Sequence, residues 1–323
     1  MRVLITGGSG YIGSHVCRLL KSRGDEPVVV DDFVTGDPAR IPEVASYRLD
    51  LTSSDAVDRL HTILVSERID SVIHFAARKQ VAESVQRPLW YLSQNIGGLA
   101  AVLEAVTKAG VRDFVFSSSA AVYGDAGGVV DEDAATVPVN PYGQSKLAGE
   151  WLVADVARAS ELNAISLRYF NVAGAGWTDL ADRAVLNLVP MALERIDSNE
   201  GPQIFGDDYD TADGTCVRDF VHVLDVAEAH LIALSALPTQ RTPHRVYNVG
   251  TGVGASVREV VEGIRRRAGD APAATVQPRR PGDPAVVVAS VDRIERELGW
   301  SARLGLDDIL DAAWAGRSTA RDR

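Results

Sequence analysis

An apolar stretch at residues 3–6 runs straight into Gly7-Gly8-Ser9-Gly10-Tyr11-Ile12-Gly13, and a helical pattern follows over residues 12–22. This order constrains the fold more than any other stretch of the chain. A short strand, a glycine turn and a helix open a βαβ unit. Gly8 and Gly10 permit a tight turn and a close approach of backbone to a ligand. Gly13 permits close packing of the helix on the strand. The N–H groups of the helix's first turn then face the turn and suit a diphosphate.

The alternation continues. Residues 28–31, 47–49, 71–75 and 114–117 read as further strands, with helices at 54–66 and 89–109. These strands are apolar throughout, as they are when helices cover both faces of a parallel sheet. The expected fold is α/β: a doubly wound, Rossmann-type parallel sheet, then a smaller mixed α/β part. Asp31 closes the second strand, 18 residues after Gly13. A carboxylate there binds ribose hydroxyls and repels a 2′-phosphate, so the expected cofactor is NAD and not NADP.

Gly110 stands where a helix ends. Asn140-Pro141 reads as an N-cap and first helical residue, and a strand follows at 164–169. Residues 173–182 and 197–215 are rich in Gly, Asp and Pro and read as long loops, which are uncommon away from a site. Helices near 223–234, 257–267 and 306–315 and a strand near 246–249 complete the pattern. Residues 317–323 are polar and expected to fray.

Tyr142 and Lys146 stand four residues apart, on one face of the expected helix. A phenol ionises near pH 10. To act as a base at neutral pH it needs a nearby cation, a helix N-terminus or an oxidised nicotinamide. Such a pair alone is common on amphipathic helices. Ser117-Ser118-Ser119 sharpens it, because strand C-terminal ends line the ligand crevice of open α/β sheets. A hydroxyl there can hold a substrate oxygen against Tyr142.

The chain has 323 residues, 46% hydrophobic and 24% charged, with a net charge of −11. Such a surface argues against nucleic acid or an anionic membrane as partner. Cys17 and Cys216 lack zinc spacing, and Cys17 reads as a buried thiol. No signal peptide and no membrane-spanning run is read, so a cytoplasmic location is expected.

Eight stretches carry a family resemblance: Thr6-Gly7-Gly8-Ser9-Gly10-Tyr11-Ile12-Gly13-Ser14-His15, Val72-Ile73-His74-Phe75-Ala76, Phe116-Ser117-Ser118-Ser119-Ala120-Ala121-Val122-Tyr123-Gly124, Pro141-Tyr142-Gly143-Gln144-Ser145-Lys146, Arg168-Tyr169-Phe170-Asn171, Asp213-Gly214-Thr215, Val217-Arg218-Asp219-Phe220-Val221-His222-Val223 and Pro278-Arg279-Arg280-Pro281-Gly282-Asp283. They resemble the extended short-chain dehydrogenase/reductase family, and within it the nucleotide-sugar 4-epimerase branch. The resemblance implies an isomerase that uses NAD to epimerise a UDP-hexose, UDP-galactose or UDP-glucose, through a transient 4-keto sugar. It implies Tyr142 as base, Lys146 as its orienting partner and Ser119 on the sugar hydroxyl. It places Gly7, Gly10, Tyr11, Ile12, Gly13, Asp31, Asp32, Asp50, Leu51, Phe75, Ala76, Ala77, Lys79, Asn95, Ser117 and Tyr169 along NAD. It gives Asn171, Asn187, Arg218, Arg280 and Asp283 to the UDP part. The guanidinium fork suits diphosphate oxygens. Residues 1–171 would form the NAD-binding domain, with a segment near 217–245 returning to it, and 172–323 would mainly bind the UDP-sugar. A homodimer through the helices at 89–109 and 141–159 is also implied, with Leu99, Val102, Leu103, Val106, Leu147, Trp151 and Leu152 as apolar positions that serve either the interface or the sheet.

Three positions depart from the family pattern. Leu186 stands where members often carry Asn, the loop at 173–182 looks short, and Val287 occupies what resembles the gatekeeper position of the sugar pocket. Ala120-Ala121 offer no acid for dehydration. Another nucleotide-sugar epimerase stays open as an alternative (UDP-GlcNAc, UDP-glucuronate with Arg183 near the loop, or a UDP-pentose), as does a non-catalytic NAD-binding sensor.

Overall fold

The computed structural model describes residues 1–269, 271–280 and 282–321, with side chains through residue 317. Its strands are β1 (Arg2–Thr6), β2 (Glu26–Asp31), β3 (Ala45–Arg48), β4 (Ser71–His74), β5 (Asp113–Ser119), β6 (Gly128–Val130), β7 (Asn163–Tyr169), β8 (Asn171–Ala173), β9 (Gln203–Phe205), β10 (Val217–His222), β11 (His244–Val249), β12 (Gly254–Ser256), β13 (Thr275–Gln277) and β14 (Val286–Ala289). Its α-helices are α1 (Tyr11–Ser22), α2 (Ala56–Ser66), α3 (Val81–Gln86), α4 (Pro88–Leu92), α5 (Gly98–Ala109), α6 (Pro141–Ala159), α7 (Leu188–Asp197), α8 (Val223–Ala236), α9 (Val257–Ala268), α10 (Asp292–Leu298) and α11 (Leu306–Arg321). The chain forms two compact units. The first comprises Met1–Gly124, Thr136–Arg168 and Ala227–Tyr247, and the second Asp125–Ala135, Tyr169–Val226 and Asn248–Arg323.

The first unit is built on a seven-stranded sheet in the order β11-β7-β5-β4-β1-β2-β3, parallel from β3 through β5. This is the doubly wound fold that the sequence predicts. Val3, Leu4 and Ile5 are fully buried, because helices cover both faces. Each such side chain contributes about 1.5–3 kcal/mol on leaving water. The order reverses between β1 and β4, and in open α/β sheets ligands bind beyond the C-terminal strand ends at such a point. The second unit carries a mixed sheet, β12-β10-β14-β6 with β8 beside β10, and a β9–β13 pair.

Several expectations change. The helix expected over 89–109 is broken into α4, a π turn at Ser93–Gly97, and α5. The π turn inserts a residue and buries Asn95, as such turns do at functional sites. The loop read at 197–215 contains β9, and that at 173–182 contains a 3-10 turn, Thr178–Leu180. Helix α7 was not expected. Pro190 reads as a breaker, yet it lies in the first turn, where its missing N–H costs nothing. Strand β10 was also not expected, since its apolar alternation is masked by Arg218 and Asp219. Asp219 is buried, accepting from Thr251 N (2.8 Å), Thr251 Oγ1 (2.8 Å), Gly252 N (3.0 Å) and Ala289 N (3.2 Å). Instead of fraying, the C-terminal segment is helical through Arg321, and residues 322–323 lie outside those described, as does Pro281. Cys17 and Cys216 are both buried.

His74 and His222 are buried and His244 is half-buried, and loss of water lowers them from 6.5 to about 3, about 4 and about 4. The unfolded chain takes up these protons below pH 6.5, while the folded chain refuses them down to about pH 4. Their contribution to stability is therefore complete above 6.5 and is lost as pH falls through that window. The urea midpoint is expected to drop steadily between about pH 7 and about pH 4.5. A midpoint that holds constant over this range would mean the three rings are charged in the fold.

Candidate active site

The glycine turn forms a cradle with no room for a side chain. A Cβ on Gly13 would lie 2.5 Å from Gly7 O and 2.8 Å from Gly8 Cα, so α1 sits tight against the turn. Gly7 has φ +71°, and a Cβ there would meet Ala76 N at 2.7 Å. The loop after β4 is held at this edge, where Phe75 N and Ala76 N donate to Thr6 O at 2.9 and 3.1 Å. Gly10 is the N-cap of α1 and makes no side-chain cap, which leaves the first-turn N–H groups facing outward. Tyr11 and Ile12 begin that helix, half-buried. This arrangement fits the diphosphate of a dinucleotide.

Asp31 lies at the end of β2, 7% exposed. It accepts from Ser9 N (3.1 Å), Ser9 Oγ (2.6 Å) and Phe33 N (2.9 Å). Ser9 was not singled out from the sequence, although it lies inside the motif. Asp32 pairs with Arg78, 46 residues further along the chain, which no local pattern marks as its partner. Asp50 follows β3 and accepts from Thr52 N and Oγ1 at 2.8 and 2.7 Å. Leu51 packs on the core below. Ala77 is half-buried beyond Ala76, while Lys79 is exposed. Asn95 donates to Ser145 Oγ at 2.9 Å and so joins this loop region to α6.

Helix α6 carries the candidate reacting groups, Tyr142 and Lys146. Asn140 caps it, accepting from Gly143 N at 2.9 Å, and Pro141 fills the first position. Two glycines bring it close: a Cβ on Gly143 would lie 2.6 Å from Ala121 O, and one on Gly149 2.6 Å from Phe116 Cζ. The Ser119 side chain lies beside the Tyr142 phenol and acts to lower its pKa, while Ser119 Oγ accepts from Ala121 N at 3.2 Å. Lys146 is 4% exposed and donates to Ser117 O at 2.7 Å, with Nζ 6.0 Å from the Tyr142 ring centre. Burial lowers Lys146 from 10.5 to about 8, with the Glu150 carboxylate opposing. It therefore remains mostly protonated at neutral pH. Burial raises Tyr142, and Ser119 offsets this only in part. In the protein alone the phenol keeps its proton, so the aids expected from the lysine and helix terminus do not by themselves make a phenolate.

Below this trio lies a buried polar network. Glu150, four residues after Lys146, takes Arg168 Nε at 2.8 Å and Nη2 at 2.6 Å. Ser118 donates to the same carboxylate, and Arg168 Nη1 donates to Tyr123 Oη at 2.9 Å.

In the second unit, Arg218 does not pair with its neighbour Asp219, because successive side chains of a strand point to opposite faces. It lies 3.6 Å from Asp283 and donates to Val217 O at 2.9 Å. Arg280 stacks over Phe205, 3.8 Å from the ring centre. Arg279 pairs with Asp208 and stacks on Tyr209 at 4.0 Å. Asn171 and Asn187 are exposed, Asn187 at the N-cap of α7 without a side-chain cap. Tyr169 ends β7 and is 9% exposed.

Residues 3–250 match the model of the NAD dependent epimerase/dehydratase family. The chain is 44% identical over 322 residues to a UDP-glucose 4-epimerase of Azospirillum brasilense, covering 97% of this chain and 90% of that one. A solved UDP-glucose-4-epimerase from Stenotrophomonas maltophila, with bound NAD and formylated UDP-arabinopyranose, superposes with a TM-score of 0.93 at 40% identity, over 100% of both chains. One from Bifidobacterium longum, in complex with NAD+ and UDP, gives 0.90 at 34% identity, over 100% of this chain and 99% of that one.

Proposed function

This chain belongs to the NAD dependent epimerase/dehydratase family, and from that premise we propose that it interconverts UDP-galactose and UDP-glucose by epimerisation at C4 of the sugar. The observation that carries this reading is the grouping of Ser119 and Tyr142 with a buried Lys146, whose Nζ donates to Ser117 O at 2.7 Å and lies 6.0 Å from the Tyr142 ring centre. When bound in the glycine cradle, NAD supplies the two-electron oxidation and reduction at C4 and, oxidised, a positive charge beside the phenol. Tyr142 holds the proton of the sugar 4-hydroxyl on its phenolic oxygen and returns it. Ser119 orients that hydroxyl, and the Lys146 ammonium favours the phenolate form. Gly7, Gly10 and the start of α1 hold the diphosphate of the dinucleotide, Asp31 its adenosine ribose, and Asn95 the loop beside it. Arg218 and Arg280 hold the UDP diphosphate by charge-assisted bonds, with Asn171, Asn187 and Asp283 as further contacts.

The test is to add UDP-galactose to the purified protein without NAD and follow UDP-glucose. Turnover supports epimerisation with retained cofactor. No turnover, with NAD shown to be bound, sinks the galactose assignment.

Val287 sets the substrate range in this reading. It lies on β14 opposite Arg218 on β10, half-buried. A valine leaves more space beside that arginine than a tyrosine would, and N-acetylated sugars are expected to enter. Val287→Tyr should lower the UDP-GlcNAc to UDP-glucose activity ratio by about tenfold, a loss of roughly 1.4 kcal/mol of discrimination. An unchanged ratio would refute it.

The partner surface is a second copy of this chain. Of the apolar positions expected there, Leu99, Val102, Leu103, Val106 and Leu147 are buried within the chain, and Trp151 is 61% exposed. Val85 on α3 and Leu89 on α4 are 62% and 82% exposed, and both helices pack on α6. Exposed apolar side chains on neighbouring helices mark an interaction surface. Light scattering should give twice the 34.6 kDa of one chain, and Leu89→Asp should return the single-chain mass. Among the described residues no helix is long and apolar enough to cross a membrane. The cytoplasm, which supplies NAD and nucleotide sugars, is the compartment this reading assigns.

A further inference from the structure

Arg78 joins more of the cofactor-lining loops than any glycine of the motif does. Its backbone N–H donates to Asn95 Oδ1 at 2.8 Å, and its carbonyl accepts from Asn95 Nδ2 at 3.0 Å. Its guanidinium donates to the Asp32 carboxylate and to Gln94 Oε1 at 3.2 Å. The guanidinium also lies 5.4 Å from the Trp90 ring centre, and Arg87 stacks on that ring at 3.8 Å. Gln94 passes the connection on, donating through Nε2 to Thr52 Oγ1 at 3.0 Å. Thr52 in turn closes on Asp50. Asn95 reaches Ser145, whose hydroxyl donates to Tyr142 O at 2.7 Å. One chain of bonds thus ties the loops after β2, β3 and β4 to the π turn and to the start of α6.

The loop after β2 is the one that most needs holding. Phe33 sits at φ +56°, a strained position for a bulky side chain. Such strain persists only where neighbours fix the backbone. Asp31 accepts from Phe33 N at 2.9 Å, and Asp32, paired with Arg78, accepts from Val34 N at 2.9 Å, so the backbone is held on both sides of Phe33. The pair is shielded, with side chains 23% and 14% exposed. It also cancels a carboxylate charge beside a site suited to a diphosphate, which would otherwise repel it.

We propose that the Asp32–Arg78–Gln94 connection is a strap that holds these loops closed and slows the release of NAD, so that Arg78 is a positioning residue for cofactor retention. The proposal rests on the NAD-site reading above and deepens it. An epimerase needs the same cofactor molecule for the oxidation and the return reduction, and a cofactor that left in between would strand the 4-keto sugar. Glycine turns supply space and N–H groups, but they do not close over a ligand. The strap supplies that closure.

The test uses the full chain as wild type, Arg78→Leu, Asp32→Asn, the double variant and Arg78→Lys. NAD bound per chain is measured after purification. Release is then followed as bound NAD exchanges with a fluorescent NAD analogue. Each single variant is expected to release NAD about tenfold faster, the effect of losing one charge-assisted bond. The double variant should release no faster than either single one, because both break the same connection. Arg78→Lys should recover part of the retention. Release within roughly twofold of wild type in both single variants would overturn the proposal. So would effects that simply add in the double variant and track a lower melting temperature of the NAD-free protein, since that is general destabilisation. If the wild type itself takes up no NAD, it is the cofactor reading that fails, and the strap falls with it.

Discussion

Tyr142→Phe is expected to slow epimerisation by about a thousandfold while NAD stays bound, the middle of the range for losing a positioned acid–base group. Phenylalanine keeps the ring beside Lys146 and removes one oxygen. The folded chain should not notice, because Tyr142 is half-buried and its phenol neighbours Ser119. The reaction should notice strongly. No other phenol stands beside Ser119 on this helix, and Lys146 is turned to Ser117 O. The variant should retain NAD at one per chain, with the urea midpoint within error of wild type. A rate loss under about tenfold would mean that another group moves the proton. The pH dependence adds a second check. Burial raises the phenol above its usual range, so NAD-free protein should show no tyrosinate from residue 142 at neutral pH.

The largest expected change in stability comes from Arg168→Met, about 3–5 kcal/mol lost. Arg168 and Glu150 have side chains 6% and 4% exposed. Burial alone disfavours the guanidinium charge, but the Glu150 carboxylate outweighs burial and raises the group's proton affinity. Removing the arginine leaves that carboxylate buried with Ser118 alone from the network, which is far costlier than losing the pair together. Glu150→Leu with Arg168→Met should therefore recover much of the loss in urea unfolding. A single variant within about 1 kcal/mol of wild type would show that water reaches the pair. The double variant carries a second readout, since the Glu150 charge supports protonated Lys146. Without that carboxylate, Lys146 should titrate lower than about 8.

The sequence reads well where one local rule decides the outcome. The glycine turn, the apolar strands 3–6, 28–31 and 71–75, and the Asn140-Pro141 helix start each rest on a backbone requirement that only a few residue types meet. It reads poorly where distant contacts override local preference. Residues 89–109 look like one helix, yet Asn95 is drawn inward through a π turn because Arg78 and Ser145 bond it. Pro190 hides α7 and charged Arg218 and Asp219 hide β10, because a breaker or a charge counts only after its neighbours are known. The apolar positions of α5 carry no label for core or interface until the sheet is in place and Leu99, Val102 and Val106 prove buried.

By itself, then, the sequence determined the parallel sheet, the tight glycine turn after β1, Asp31 at the end of β2, and Tyr142 and Lys146 on one face, because strand period, glycine geometry and helical spacing act within a few residues. Only the tertiary structure decided which charges meet. It paired Asp32 with Arg78, Glu150 with Arg168 and Arg218 with Asp283, across 46, 18 and 65 residues of chain. A charge has no preferred partner in sequence, and the fold assigns one through position and the loss of water.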